Sequence, residues 1–146
     1  MAIPPSGLLL GIDWGEIRTG LALSDEERIL ASPLTTLTQR RGKRFPVAAL
    51  LDVIEAHHPV GVVLGLPYSL EGGETKSTIQ VRQLAARLEP KVPVPIELWD
   101  ERLTTARALR AIREQGGSTR GRKADVDALA AAILLQHYID SHREAP

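Results

Sequence analysis

Leu8-Leu-Leu-Gly-Ile-Asp-Trp-Gly-Glu-Ile-Arg-Thr-Gly-Leu-Ala-Leu-Ser24 is the stretch that decides the fold. Leu8–Trp14 reads as a buried strand, Gly15–Arg18 as a connection, and Thr19–Ser24 as the hairpin partner of the first strand. The apolar run is broken by one acid, Asp13, at its far end. Gly15 follows two residues later and Gly20 opens the return strand. Glycine at such places allows a backbone or a substrate to approach closely, so the hairpin carries a candidate site as well as a core.

Working outward, a third strand is expected over Arg28–Pro33. Val47, Leu50, Leu51 and Ile54 share one face of a helix from about Pro46 to His57, with Pro46 near its first turn. Gly61–Leu66 has the continuous apolar character of a parallel strand covered on both faces, and Val81, Leu84, Ala85 and Leu88 mark the next helix. Ile96–Asp100 is a further strand. Thr104 or Thr105 is expected to cap a helix through Glu114, Gln115–Lys123 to form a mobile loop, and a last helix to start near Asp125. A hairpin followed by alternating helices and strands implies an α/β fold: a mixed sheet with helices on both faces, in one domain over residues 1–146 with its core at about 8–140.

Composition narrows the chemistry. The 146 residues hold 18 Lys plus Arg against 18 Asp plus Glu, 25% charged and 43% hydrophobic residues, which excludes disorder and a uniformly basic coat. Any basic surface is local. There is no cysteine, so thiol nucleophiles, disulfide scaffolds, Cys-ligated zinc and iron–sulfur clusters are ruled out. No stretch has the length of a membrane span or the form of a signal peptide, so a cytoplasmic protein with no membrane partner is expected. Gly72-Gly-Glu-Thr-Lys76 lacks phosphate-loop spacing, the histidines form no H-E-x-x-H, and Ser69 has no G-x-S-x-G context.

Acids stand where structure gives them no purpose. Asp13 ends the first strand, Asp100 and Glu101 end a later one, and Asp127 lies in the first turn of a helix that is apolar nearly all round. Buried carboxylates are costly unless paired or metal-bound, and a cluster of them repels itself unless divalent cations compensate. Oxygen donors without His or Cys favour Mg²⁺ or Mn²⁺, the ions of phosphoryl transfer. If the first and late strands are neighbours and parallel, Asp13 and Asp100 or Glu101 emerge at one edge, where Asp127 meets them. Asp125 is a second acid beside Asp127, and capping is its simpler role.

Basic residues gather in two places. Arg40, Arg41, Lys43 and Arg44 precede the first helix, and Arg102, Arg107, Arg110, Arg113, Arg120, Arg122 and Lys123 accompany the single acid Glu114 across residues 102–123. Such clusters supply phosphate contacts to nucleic acids. With only 3% aromatic residues, base stacking is not the main source of affinity.

Ile12-Asp-Trp-Gly-Glu-Ile-Arg-Thr-Gly20, Val63-Leu-Gly-Leu-Pro67 with Glu71-Gly-Gly73, Asp100-Glu-Arg-Leu-Thr104 and Val126-Asp-Ala-Leu-Ala-Ala131 together resemble the YqgF/RuvX family, over roughly residues 8–140. The resemblance implies an RNase H-like fold and a metal-dependent nuclease that matures the 5′ end of pre-16S rRNA. The alternatives are resolution of four-way DNA (Holliday) junctions and a catalytically silent nucleic-acid-binding role in ribosome assembly. It implies Asp13, Glu101 and Asp127 as catalytic and metal-binding acids, with Asp100 and Asp125 as alternatives. Mg²⁺ or Mn²⁺ is the implied cofactor, and precursor RNA and branched DNA are the candidate partners. Gly15, Arg18, Arg102, Arg120, Arg122 and Lys123 are the expected substrate contacts, in a monomer or homodimer. Trp14 departs from the family pattern, where a smaller apolar residue is expected.

Overall fold

A computed structural model describes residues 2–40, 42–69, 71–101 and 123–143, with backbone alone at 123–125. Its centre is a five-stranded sheet: β1 (Leu9–Asp13), β2 (Arg18–Ser24), β3 (Ala31–Thr38), β4 (Gly61–Leu66) and β5 (Ile96–Asp100), in the order β3-β2-β1-β4-β5. β2 is antiparallel to β1 and β3, while β1, β4 and β5 run parallel. Helices α1 (Val47–His57), α2 (Lys76–Leu88) and α3 (Lys123–Ser141) complete the described elements. This is the mixed-sheet α/β arrangement expected from the sequence, with helices on both faces.

Residue alternation along the strands sorts the core into two layers. Leu10, Ile12, Val62 and Leu64 face Leu50 and Ile54 of α1 and Val81, Leu84 and Leu88 of α2. Leu9, Ala22 and Val63 face Ala131, Leu135, Tyr138 and Ile139 of α3. Every residue of β1 and β4 is buried, as the apolar runs required. Trp14 lies just beyond β1, is 8% exposed, and packs in the α1–α2 layer, so the bulky indole is taken up by the core.

Helix ends follow from local chemistry. Thr75 and Thr78 form a reciprocal capping box at the start of α2, and the Thr78 hydroxyl also donates to the Pro67 carbonyl. Pro46 directly precedes the first turn of α1, as expected, and His58, at φ 53°, closes α1 through its N–H to Ile54.

Three expectations change. The third strand is not Arg28–Pro33: Asp25 accepts the N–H groups of Ile29 and Leu30 at 2.8 and 2.9 Å, and Arg28 sits at φ 55°, which makes 25–30 a turn. These bonds, that of Leu30 foremost, hold the Asp25 carboxyl below its usual range. β3 instead starts at Ala31, opposite Ser24, and passes through Pro33, which is tolerated on an edge strand beside the register shift at Leu21 and Ala22. β1 and β5 are not neighbours, because β4 lies between them. Lys123, expected in a loop, opens α3, two residues before Asp125. The helix expected over 104–114 and the rest of the loop from Gln115 lie outside the described residues.

Candidate functional site

A row of small residues builds the site. Asp13 pairs across the sheet with Gly20 of β2, and the parallel pairing of Ile12 with Leu64 brings Gly65 of β4 beside it on the other side. Asp13 therefore stands between two glycines on this face of the sheet. A Cβ on Gly20 would stand 1.8 Å from the Asp127 carbonyl oxygen, so the start of α3 rests directly on β2 there. A Cβ on Gly65 would stand 2.7 Å from Glu101 Oε2 and equally close to Leu134 of α3. Asp127 thus flanks Asp13 over Gly20, and Glu101 flanks it over Gly65.

The same geometry separates Asp100 from Glu101. Asp100 is registered with Leu66 and shares the α1–α2 face with Leu98, whereas Glu101, one residue on, reaches the α3 face with Asp13. Burial agrees: Asp13, Glu101 and Asp127 are 2%, 2% and 1% exposed, and Asp100 is half-buried.

Arg18 has an unforeseen partner. Its Nε donates to Asp127 Oδ2 at 3.1 Å, linking the first residue of β2 to α3, with the guanidinium 25% exposed. The charge-assisted bond holds the carboxylate in its buried position. Among the described residues no group of three or more His, Cys, Asp or Glu is gathered closely enough to hold an ion. The donor set suits a hard divalent cation in chemistry and in sharing one face, while a guanidinium takes part of the positive role at Asp127.

Gly15 is buried, and its N–H donates to the Thr19 hydroxyl at 3.4 Å, which tightens the β1–β2 connection. Arg102, Arg120 and Arg122 lie outside the described residues, as do the side chains of Lys123 and Asp125. Sequence reasoning missed Gly65. Its signal was available, since a glycine inside the apolar run Gly61–Leu66 marks a close approach by something else.

The family described as "RuvX: Holliday junction resolvase" matches residues 7–141. The chain belongs to the RuvX family. A relative of this family member in Koribacter versatilis is 41% identical over 143 residues, covering 96% of this chain and 93% of the relative. Another in Rhodococcus jostii is 40% identical, covering 94% and 79%. Both bear the name "Putative pre-16S rRNA nuclease". A solved structure of Thermus thermophilus RuvC, in complex with a Holliday junction substrate, is 19% identical with a TM-score of 0.49, covering 92% of this chain and 94% of that one. At that distance nothing about substrate follows.

Proposed function

We propose that this RuvX family member is a metal-dependent nuclease, carried by one domain, that hydrolyses phosphodiester bonds in RNA and matures the 5′ end of pre-16S rRNA in the cytoplasm. The observation that carries this is the gathering of three buried acids, Asp13, Glu101 and Asp127, on one face of the sheet over two glycines, where buried carboxylates call for compensating positive charge. The names of the curated relatives support the substrate.

In this reading Asp13, Glu101 and Asp127 would draw together around Mg²⁺ or Mn²⁺, which would supply charge compensation and water activation for phosphodiester hydrolysis. Gly15 keeps the connection beside Asp13 narrow. Arg18 pairs with Asp127 in the free protein and contacts a substrate phosphate when released from it. Arg102, Arg120, Arg122 and Lys123 add phosphate contacts.

The family description favours four-way DNA junctions as a second reading. Junction resolution takes two symmetric cuts and hence a dimer, while RNA maturation does not require one. The deciding experiment offers precursor rRNA, single-stranded RNA and a four-way junction to wild-type protein and Asp13→Asn, with Mg²⁺ and with Mn²⁺. Cleavage of precursor rRNA by the wild type alone is expected. Cleavage of junctions only would transfer the proposal to DNA, and an Asp13→Asn protein with parental turnover would end the active-site assignment.

A further inference from the structure

On the opposite face of the sheet from the acids lies a cavity of about 660 Å³, between the segment that leads into α1 and the exposed side of α2. This volume is in the range of sites that enclose small organic groups. Among the described residues its lining holds three cations, Lys43, Arg44 and Arg87, and no carboxylate. In a chain with equal numbers of acidic and basic residues, that is a local excess of positive charge. Trp14 and Phe45 give it an aromatic wall.

Gln39 supplies an independent observation. Its side-chain Nε2 donates to the Lys43 carbonyl at 2.5 Å, which fixes the orientation of the amide. The other end, Oε1, is buried without a hydrogen-bond partner, and Gln39 lines the same cavity. A buried acceptor is expensive to leave unmet, so a donor brought within reach of the Gln39 amide would be favoured. The phosphodiester of a nucleic acid offers none, because it carries no P–OH at neutral pH. A nucleobase offers ring N–H and exocyclic amino groups, and its attached phosphates would meet Lys43, Arg44 and Arg87.

Position relates the cavity to the acids. Trp14 directly follows Asp13, and successive residues at the end of a strand turn to opposite faces. A chain that passes over the end of β1 therefore reaches from the acids to the cavity. A flexible single strand makes that turn readily, whereas a stiff duplex resists it.

We infer that this cavity is a nucleotide-binding subsite for a single-stranded stretch of the nucleic acid, reading a base through Gln39 and its phosphates through Lys43, Arg44 and Arg87. The inference rests on the nuclease reading for its substrate class, and it places a binding contact away from the acids.

The test measures binding where nothing is cut. Anisotropy of a labelled single-stranded 12-nucleotide RNA is titrated in EDTA at several salt concentrations, with a blunt RNA duplex of the same sequence and the corresponding single-stranded DNA alongside. The double variant Lys43→Glu, Arg87→Glu changes two exposed side chains, so its melting temperature should match the parent. It is expected to bind the single strand at least about tenfold more weakly and to lower the salt slope by about 1.4, at about 0.7 for each lost phosphate contact. Gln39→Leu should weaken single-stranded RNA about fivefold while leaving the salt slope unchanged, because it removes a base contact and no charge. In cleavage assays the double variant should raise KM and keep kcat. Parental affinity and slope in the double variant, while wild-type protein still cuts RNA, would overturn the subsite and leave the nuclease reading standing. Wild-type protein that binds the single strand but cuts no nucleic acid, with both variants impaired, would support the subsite and overturn the nuclease reading. Duplex bound as tightly as the single strand, with the same loss in the double variant, would overturn the single-stranded assignment. Single-stranded DNA bound like RNA would support the subsite and show that it does not read the ribose.

Discussion

Gly20→Ala is the sharpest perturbation of the proposed site, because the added methyl group meets backbone and not a side chain that can swing away. Its Cβ would lie 1.8 Å from the Asp127 carbonyl oxygen, 2.3 Å from its carbonyl carbon and 2.9 Å from the Ala128 nitrogen. Opening 1.8 Å to the 3.0 Å below which Cβ contacts essentially do not occur needs 3.0 − 1.8 = 1.2 Å of movement by β2 or by the start of α3. The displaced residue is Asp127 itself. Overpacking of this kind costs about 1–3 kcal/mol, which for a chain of this size lowers the melting temperature by roughly 2–12 °C. A misplacement near 1 Å at a reacting centre costs on the order of 10²-fold in rate, so cleavage of single-stranded RNA should fall by about that factor. Gly73→Ala is the control, since its Cβ would meet only the Ser69 hydroxyl at 3.4 Å. Thermal scans and single-turnover cleavage of the three proteins provide the measurement. A Gly20→Ala protein that melts and cuts like the parent would refute the argument that α3 must rest on β2 for Asp127 to serve the site.

Neighbouring acids and the ion pair yield two further expectations. Glu101→Gln should abolish cleavage while Asp100→Asn keeps at least about a third of it, since only Glu101 shares the face of Asp13; equal losses in steady-state rate would contradict the register argument. Arg18→Gln should lower the melting temperature of the metal-free protein, by an amount reflecting about 1–3 kcal/mol for a buried carboxylate deprived of its charged donor. It should also enlarge the upward shift given by Mn²⁺, because the ion no longer competes with a guanidinium at Asp127; a parental Mn²⁺ shift would show that Arg18 and the ion do not compete.

The sequence made Asp13 and Asp127 visible because each interrupts an apolar pattern that leaves an acid no solvent. Glu101 could not be told from Asp100 in the same way. Which of two adjacent residues shares a face with Asp13 depends on the register of β5 against β4, and no local pattern records that register. The partner of Arg18 was hidden for a related reason, as it lies 109 residues away. The strand expected to begin at Arg28 was misplaced because Ile29 and Leu30 look like strand residues, yet they stand 51% and 65% exposed in a turn closed by Asp25. Side-chain hydrogen bonding overrode β propensity at that point.

The position of α3 has a consequence for synthesis. The helix Lys123–Ser141 covers Leu9 and Ala22, which are synthesised well before it. Until it docks, that apolar face lacks the cover of α3 and Asp13 has no Asp127 beside it. Contacts so distant in sequence form slowly, and chains grow at about 5–20 residues per second. Under the proposed assignment, the three acids therefore come together only after α3 has been made and has met the hairpin that precedes it by most of the described chain.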